Sequence, residues 1–263
     1  MNLNPELIRL SVFFAVFMLC ALWEWSCPRK TLTQSKATRW LNNLGLVGLN
    51  SVCLSLLMPV LAIEAAYWAQ QDSIGLFNWV DLPQVGEIAL SVIILDGVIY
   101  AQHVLFHFSP WLWRLHRMHH ADQDIDVTTG SRFHPFEMIL SLWIKITCVI
   151  MLGVSPFAVL IFEVVLNASA MFNHSNAKLP LKMDRWLRWL VVTPDMHRVH
   201  HSVIVRETHS NFGFFLSCWD RLFRTYRAQP ELGHKQVIIG LPLFRAKREQ
   251  WLDKMLTQPF RKK

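Results

Sequence analysis

Four long apolar stretches restrict this chain to a membrane fold. They occupy about residues 7–25, 44–66, 87–106 and 138–171. A helix needs about 20 apolar residues to cross the hydrocarbon core of a bilayer. A chain in lipid must also satisfy its backbone hydrogen bonds internally, which a helix does. We therefore predict an all-α fold, an integral-membrane helical bundle of about four spanning elements plus a short helical hairpin.

The fourth stretch is the one that predicts the hairpin. Gly153 and Pro156 interrupt it, and both residue types favour a turn or a break in a helix. A hairpin returns the chain to the side from which it entered, so that His174 lies on the same side of the membrane as the other histidines. One long tilted span would place His174 on the opposite side.

The composition agrees with a membrane protein and argues against a nucleic-acid partner. Apolar residues make up 52% of the chain and charged residues only 17%. The net charge is +7, but 17 of the 26 Lys and Arg residues lie in 171–263, interleaved with Trp and Leu. That pattern favours a membrane surface carrying anionic lipid. The five cysteines form no CxxC pair, so they predict neither a disulfide framework nor a cysteine metal site.

The distribution of cations predicts the orientation in the membrane. The loop after the first stretch contains Arg29, Lys30, Lys36 and Arg39, whereas the loop after the second contains no Lys or Arg. By the positive-inside rule the first loop is cytoplasmic. The first stretch lacks a lysine-rich start and a clear cleavage site, so we interpret it as a retained span. We predict a multi-pass membrane protein with a cytoplasmic helical cap.

Histidines provide the chemical signal. Ten of the twelve lie between His103 and His201, and eight of these form three clusters of helical spacing: His103/His107, His116/His119/His120 and His197/His200/His201. Residues three or four apart share a helix face, so their imidazoles can converge on one ion. Imidazole suits Zn, Cu, Fe and Ni, and the HExxH pattern of zinc proteases is absent. The clusters predict a site for two metal ions; two irons held in this way could activate O2, and zinc could take their place in purified protein.

Two polar stripes in apolar segments point toward the same site. Glu163, Asn167 and His174 recur at helical spacing in the second arm of the hairpin, and ionisable residues in a span indicate function. We interpret this stripe as a wall of the metal site, with a polar contact between helices as the alternative. Asp96 and Tyr100 precede His103 at the same spacing, so either could orient a ligand.

A succession of motifs carries a family resemblance. HVLFH, HRMHH, RFHPFE, FNHSN and TPDMHRVHH, closing with NFGFFLSCWDRLFRTY, resemble the fatty acid hydroxylase superfamily of membrane di-iron enzymes, which includes the sterol desaturases. The likeness covers about residues 90–227 and is nearest to bacterial sterol-desaturase-like members and alkylglycerol monooxygenase. It implies a location in a bacterial inner membrane, with the metal site on the cytoplasmic side. It suggests three regions: N-terminal transmembrane helices (1–86), a catalytic domain (87–227) and a basic amphipathic tail (228–263).

The resemblance also implies a ligand set. Its members are the histidines that match the family's motifs: His103, His107, His116, His119, His120, His174, His197, His200 and His201. A first hypothesis places His103, His107, His116, His119 and His197 on one ion, and His120, His174, His200 and His201 on the other. Some family members have a further histidine where this chain has Lys178. Water or His134 could complete the second ion, and His134 and Glu137 could equally act as supporting or structural residues.

The function expected from this resemblance is oxidation of a lipid by O2. The enzyme would hydroxylate or desaturate a C–H bond with electrons from a separate reductase, through a carrier such as ferredoxin or cytochrome b5, because the chain has no GxGxxG motif and no haem domain. A non-catalytic metal- or haem-binding membrane protein is the alternative, and a zinc-dependent membrane hydrolase is a third possibility. The sequence does not rank sterols, hopanoids, fatty acyl chains, ether lipids and ornithine lipids as substrates.

Overall fold

The computed structural model describes residues 4–262, and within them the chain is helical with no strands. The longer helices are α1 (Pro5–Ser26), α2 (Lys36–Leu57), α3 (Ala62–Gln71), α4 (Gln84–Phe108), α5 (Pro110–His120), α6 (Pro135–Leu152) and α7 (Pro156–His174). Shorter helices follow: α8 (Leu181–Leu187), α9 (Pro194–His200), α10 (Val205–Thr208), α11 (Cys218–Leu222), α12 (Gly233–Gln236) and α13 (Leu252–Thr257). The predicted all-α class is confirmed.

Five segments of the described chain are long and apolar enough to cross a membrane: Pro5–Ser26, Lys36–Asn78, Gln84–Phe108, Pro135–Leu152 and Pro156–His174. Their outer surfaces are apolar. Leu19 is 67% exposed, Leu56 77% and Met151 70%. An apolar exterior of this kind is what lipid contact requires. The segments match a multi-pass membrane protein, although the number that cross the bilayer stays a prediction.

The break in the fourth apolar stretch is confirmed, and its geometry explains the residues found there. Helix α6 ends at Leu152, and the next residue, Gly153, has a φ of 68° in the left-handed region. A Cβ at this position would lie 2.6 Å from the Asn78 side chain, so glycine is needed for space as well as for conformation. Ser155 then caps α7 and Pro156 occupies its first turn, where proline is well tolerated.

The predicted bounds of the second span, 44–66, are wrong. Helix α2 begins earlier, at Lys36, and ends at Leu57. Met58 is extended, with φ −117° and ψ 97°, because the following Pro59 disfavours helical conformation in the residue before it. Helix α3 then starts a separate segment that packs against α6 and α7.

Buried ion pairs attach the start of α2 to the loop after α5. The Arg39 side chain is 0% exposed; its Nε donates to Asp122 at 2.9 Å, and it also pairs with Asp126. Burial alone would raise the pKa of Asp122, but the charge of Arg39 outweighs it and lowers that pKa to about 2. Asp124 accepts hydrogen bonds from the backbone N–H groups of Thr33 and Gln34. This loop is therefore fixed at several points.

The C-terminal region packs on the same end of the bundle. Met255 is buried with Leu46 and Met118, and the carbonyls of Gln258 and Pro259 accept hydrogen bonds from arginines of α5. The predicted basic tail thus covers α2 and α5. The proposed region boundaries at 86 and 227 stay predictions.

We expect Arg39→Met to destabilise the protein strongly, because it leaves the carboxylates of Asp122 and Asp126 buried without their cation. Removing one partner of a buried pair costs about 3–5 kcal/mol. The midpoint of thermal unfolding of purified protein in detergent measures the effect. Arg206→Met is the matched control, since Arg206 and its partner Glu231 are 60% and 50% exposed and we expect little change there. Equal midpoints for the two variants would contradict the prediction.

Candidate metal centre

Four helices converge to bury nine histidines at one end of the bundle. The last two turns of α4 carry His103 and His107, α5 carries three more, and α7 ends at His174. Helix α9 carries His197 and His200, and His201 follows its last residue. None of the nine is more than 4% exposed. The structure thus brings together every histidine of the predicted ligand set.

The nine imidazoles form two groups in which the candidate ligand atoms all lie within 4.8 Å of one another. The group of five is His103, His107, His116, His120 and His200, and the group of four is His119, His174, His197 and His201. Each compact group could hold a metal ion.

The composition of the groups corrects the division expected from the sequence. His119 and His197 belong to the group of four, whereas His120 and His200 belong to the group of five. The reason is helical geometry, since residues four apart share a face more closely than neighbours do. On α5, His116 and His120 are four apart and lie in one group, while His119 turns to the other. Around α9, His197 and His201 are four apart and lie together in the group of four, whereas His200 lies in the group of five.

Hydrogen bonds fix the orientation of several rings. The Nδ1–H groups of His103, His174 and His200 donate to the carbonyls of Phe212, Ala170 and Ser210, at 2.8, 2.7 and 2.7 Å respectively. His119 donates in the same way to Arg132 O at 3.3 Å, and His116 Nδ1 lies 2.6 Å from Glu137 Oε1. A carbonyl only accepts, so Nδ1 must carry the proton and Nε2 must present a lone pair. Outer contacts of this kind are typical of metal-ligating histidines.

The Nε2 lone pairs of facing histidines are directed at one another. This geometry is the best indication that a cation fits between them. His103 Nε2 lies 3.1 Å from His116 Nε2, and His119 Nε2 lies 3.2 Å from His174 Nε2. His119 and His174 both donate Nδ1–H to a carbonyl, so no proton lies between their Nε2 atoms, and His103, which also donates Nδ1–H to a carbonyl, presents its Nε2 lone pair to His116. Two facing acceptors repel unless a positive ion lies between them. Buried ring nitrogens of His107, His120, His200 and His201 also have no hydrogen-bond partner, which is costly in a protein interior without a ligand.

Burial keeps the imidazoles of the cap neutral. It lowers the pKa of His116 to about 3 and, together with neighbouring histidines, lowers the pKa values of His119 and His201 well below the usual range. A neutral imidazole is the form that binds a metal. These imidazoles are therefore in their metal-binding form at neutral pH.

Three further predicted residues support the site without joining either group. Glu137 contacts His116, as described. Asp96 accepts hydrogen bonds from the backbone N–H of Phe215 and Leu216 and from Trp219 Nε1, which ties α4 to the loop that carries Phe212. The Tyr100 hydroxyl lies 2.8 Å from Thr225 Oγ1 and braces the same region.

The other candidates lie away from the histidine groups. His134 caps α6, where its Nδ1 accepts from Phe136 N–H, and its Nε2 faces Leu256 O at 3.3 Å. Glu163 contacts Arg9 and Lys145 instead of a histidine. Asn167 lines a cavity in the bundle. The stripe that ends at His174 is thus a cavity wall along most of its length.

Some supporting residues carried weak sequence signals. Asp220 accepts hydrogen bonds from the backbone of Phe212 and Gly213 and so positions the carbonyl that binds His103. A Cβ on Gly130 would lie 2.6 Å from Ala170 O, the acceptor of His174. A lone glycine in a VTTGS segment gives no hint of this contact. The His209 ring lies 5.4 Å from the His107 ring, but His209 belongs to neither histidine group.

A cavity of about 520 Å³ leads from the histidines into the bundle. It lies between α1, α2, α4, α6 and α7, and its walls are mainly apolar. His103 and His116 line it, as do Arg9, Lys145 and Glu163. Its volume is in the range of small-molecule binding sites.

Comparison with known proteins gives a consistent result. The fatty acid hydroxylase family model matches residues 88–225. The ornithine lipid hydroxylase of Rhizobium tropici is 27% identical over 65% of this chain and 48% of its own length. The cholesterol 25-hydroxylase of Rattus norvegicus is 25% identical over 66% of this chain and 58% of its own. The alkylglycerol monooxygenase of Xenopus tropicalis is 26% identical over 56% of this chain and 31% of its own.

The chain therefore spans between about a third and three fifths of the length of these relatives. No solved structure matches it. The matched residues 88–225 contain all nine histidines of the two groups.

We expect Glu137→Gln to weaken metal binding about 10- to 100-fold, because the neutral amide no longer strengthens His116 as a donor. Competition with a chelator of known affinity measures the change. Glu64→Gln is the control, since Glu64 is an exposed carboxylate on α3. Equal metal affinities in the two variants would show that Glu137 does not support a ligand.

Proposed function

The chain belongs to the fatty acid hydroxylase family, and from this premise we propose that it is an O2-dependent di-iron membrane oxidase that hydroxylates a C–H bond of a lipid. The observation that carries the proposal is the pair of buried histidine groups with opposed lone pairs. The apolar cavity that leads to them supports a lipid substrate.

Two iron ions held by these groups would supply the activation of O2 and the abstraction of hydrogen from an unactivated C–H bond. The residues of the chain have other tasks. The carbonyls of Phe212, Ala170 and Ser210 hold imidazoles in place. The burial of all nine histidines excludes bulk water, and the cavity wall places an apolar chain beside His103 and His116.

Hydroxylation is the proposed reaction rather than desaturation. The relatives are named as hydroxylases and a monooxygenase, and their named substrates are an ornithine lipid, cholesterol and alkylglycerol. These relatives also favour an enzyme over the non-catalytic metal- or haem-binding alternative. Hydroxylation requires one hydrogen abstraction, whereas desaturation requires two.

The proposal includes an external source of electrons and an orientation. A ferredoxin or a cytochrome b5 with its reductase would supply reducing equivalents. The metal centre would face the cytoplasm of a bacterial inner membrane. The absence of Lys and Arg from the loop after α2 supports this orientation. So do the exposed cations on the helices that flank α9 in sequence: Lys182, Arg185 and Arg206. The bacterial location rests on likeness to the rhizobial relative.

We expect His200→Ala to abolish lipid hydroxylation while the protein still inserts in the membrane, because one ligand of the group of five is lost. Cells that express each variant are grown under oxygen-18, and their lipids are compared by mass spectrometry for incorporation of one labelled oxygen. His234→Ala is the matched control, since His234 lies outside both groups. Full incorporation in the His200 variant would contradict the proposed site.

Removal of metal tests the identity of the ions. We expect a chelator to abolish activity, Fe²⁺ to restore it, and Zn²⁺ to bind without restoring it, because zinc has no redox chemistry. Activity is measured as O2-dependent product formation with an electron donor present. Turnover by the zinc-loaded protein without O2 would indicate a membrane hydrolase and overturn the proposal.

A further inference from the structure

The cavity has a charged end that contacts no histidine. Glu163 on α7 accepts a hydrogen bond from Lys145 Nζ on α6 at 2.5 Å and another from Arg9 Nη1 on α1 at 2.5 Å. The Glu163 side chain is 8% exposed, while those of Arg9 and Lys145 are 26% and 17% exposed. We call Arg9, Lys145 and Glu163 the charged triad.

The charged triad lies well away from the metal ligands. Glu137 contacts His116, and Lys145 lies eight residues further along the same helix, α6. A helix rises about 1.5 Å per residue, so the two positions are separated by about 12 Å along the bundle. The wall between them includes Leu142 and Leu166, with Ser141 and Asn167 as polar members. The cavity is therefore charged at one end, mostly apolar in the middle and lined by histidines at the other end, which matches an amphiphile bound by its polar group.

The charges of the triad do not balance. Two cations share the Glu163 carboxylate, and they are the more exposed members of the triad. Glu6, one turn from Arg9 on α1, lines the same cavity without a close ion pair to either cation among the described residues. Ionisable groups within a membrane bundle are costly and indicate a functional contact. The exposed cations are the groups that a bound anion would reach.

We propose that the charged triad binds an anionic group of the lipid substrate, a carboxylate or a phosphate, and so determines which carbon lies beside the histidines. Arg9 offers a planar fork that suits both groups, and Lys145 adds a point charge. Glu163 holds the two cations at the same end of the cavity. The inference rests on the proposed lipid hydroxylase function and adds the substrate class to it.

The test compares amphiphiles with the same chain and different polar groups. Purified full-length protein in a neutral detergent is titrated with palmitate, hexadecyl phosphate and hexadecanol, and binding is followed by the shift in thermal unfolding. We expect at least one of the two anions to bind about tenfold more tightly than hexadecanol, as for one charge-assisted contact. A preference for palmitate or for the phosphate identifies which anion the site accepts. Equal binding of all three overturns the inference.

Variants separate recognition from a structural role. Lys145→Met should remove the preference for anions without changing hexadecanol binding, and Lys145→Arg should retain it. Glu163→Gln should keep or increase the preference, because the internal competitor for the cations is gone. Lys182→Met, an exposed residue of α8, is the charge-matched control. If the triad only joins the helices, the Lys145 and Glu163 variants should lower stability alike and leave the anion preference unchanged, which would overturn the inference.

The two proposals fail in distinguishable ways, because binding is measured without turnover. Anion preference with no oxygen incorporation contradicts the hydroxylase function and leaves the binding site in place. Oxygen incorporation that does not distinguish palmitate from hexadecanol contradicts the role of the charged triad and leaves the hydroxylase function intact.

Discussion

The repulsion between facing imidazole lone pairs is the constraint on which the rest of this molecule depends. The carbonyls that accept from Nδ1 direct the Nε2 atoms of His103 and His174 toward other histidines at about hydrogen-bond distance. The Nε2 lone pairs of His119 and His174 face each other in a desolvated interior with no proton between them. The surrounding cap therefore has to hold them: Arg39 fixes the loop after α5, and Asp220 fixes the loop after α10. Much of the polar network outside the bundle serves this one purpose.

Features that depend on local helical spacing or on the conformational preferences of single residues could be predicted from the sequence. The nine histidines, the apolar segments and the break at Gly153 all follow from helical spacing and backbone chemistry. The grouping of histidines was predictable from the same rule, since His116 and His120 are four apart, but the first division did not apply it. The end of α2 was also accessible, because Pro59 acts on the residue before it.

Residues whose role depends on distant partners were not predictable in this way. The spacing of Glu163 suggested a wall of the metal site, but its partners Arg9 and Lys145 come from two other helices. Arg39 was counted as a loop cation that reports membrane orientation, yet it is fully buried in ion pairs. Arg29 likewise bonds Asp195 at 2.9 Å. A charge count cannot distinguish such internal cations from those that face the headgroups.

The arrangement of histidines on α5 and α9 has a consequence for how the site fills. Each of these helices contributes ligands to both groups, so the two proposed ions would share their supporting backbone. Binding at one group would then alter the affinity of the other, and a metal titration would depart from that of two independent sites.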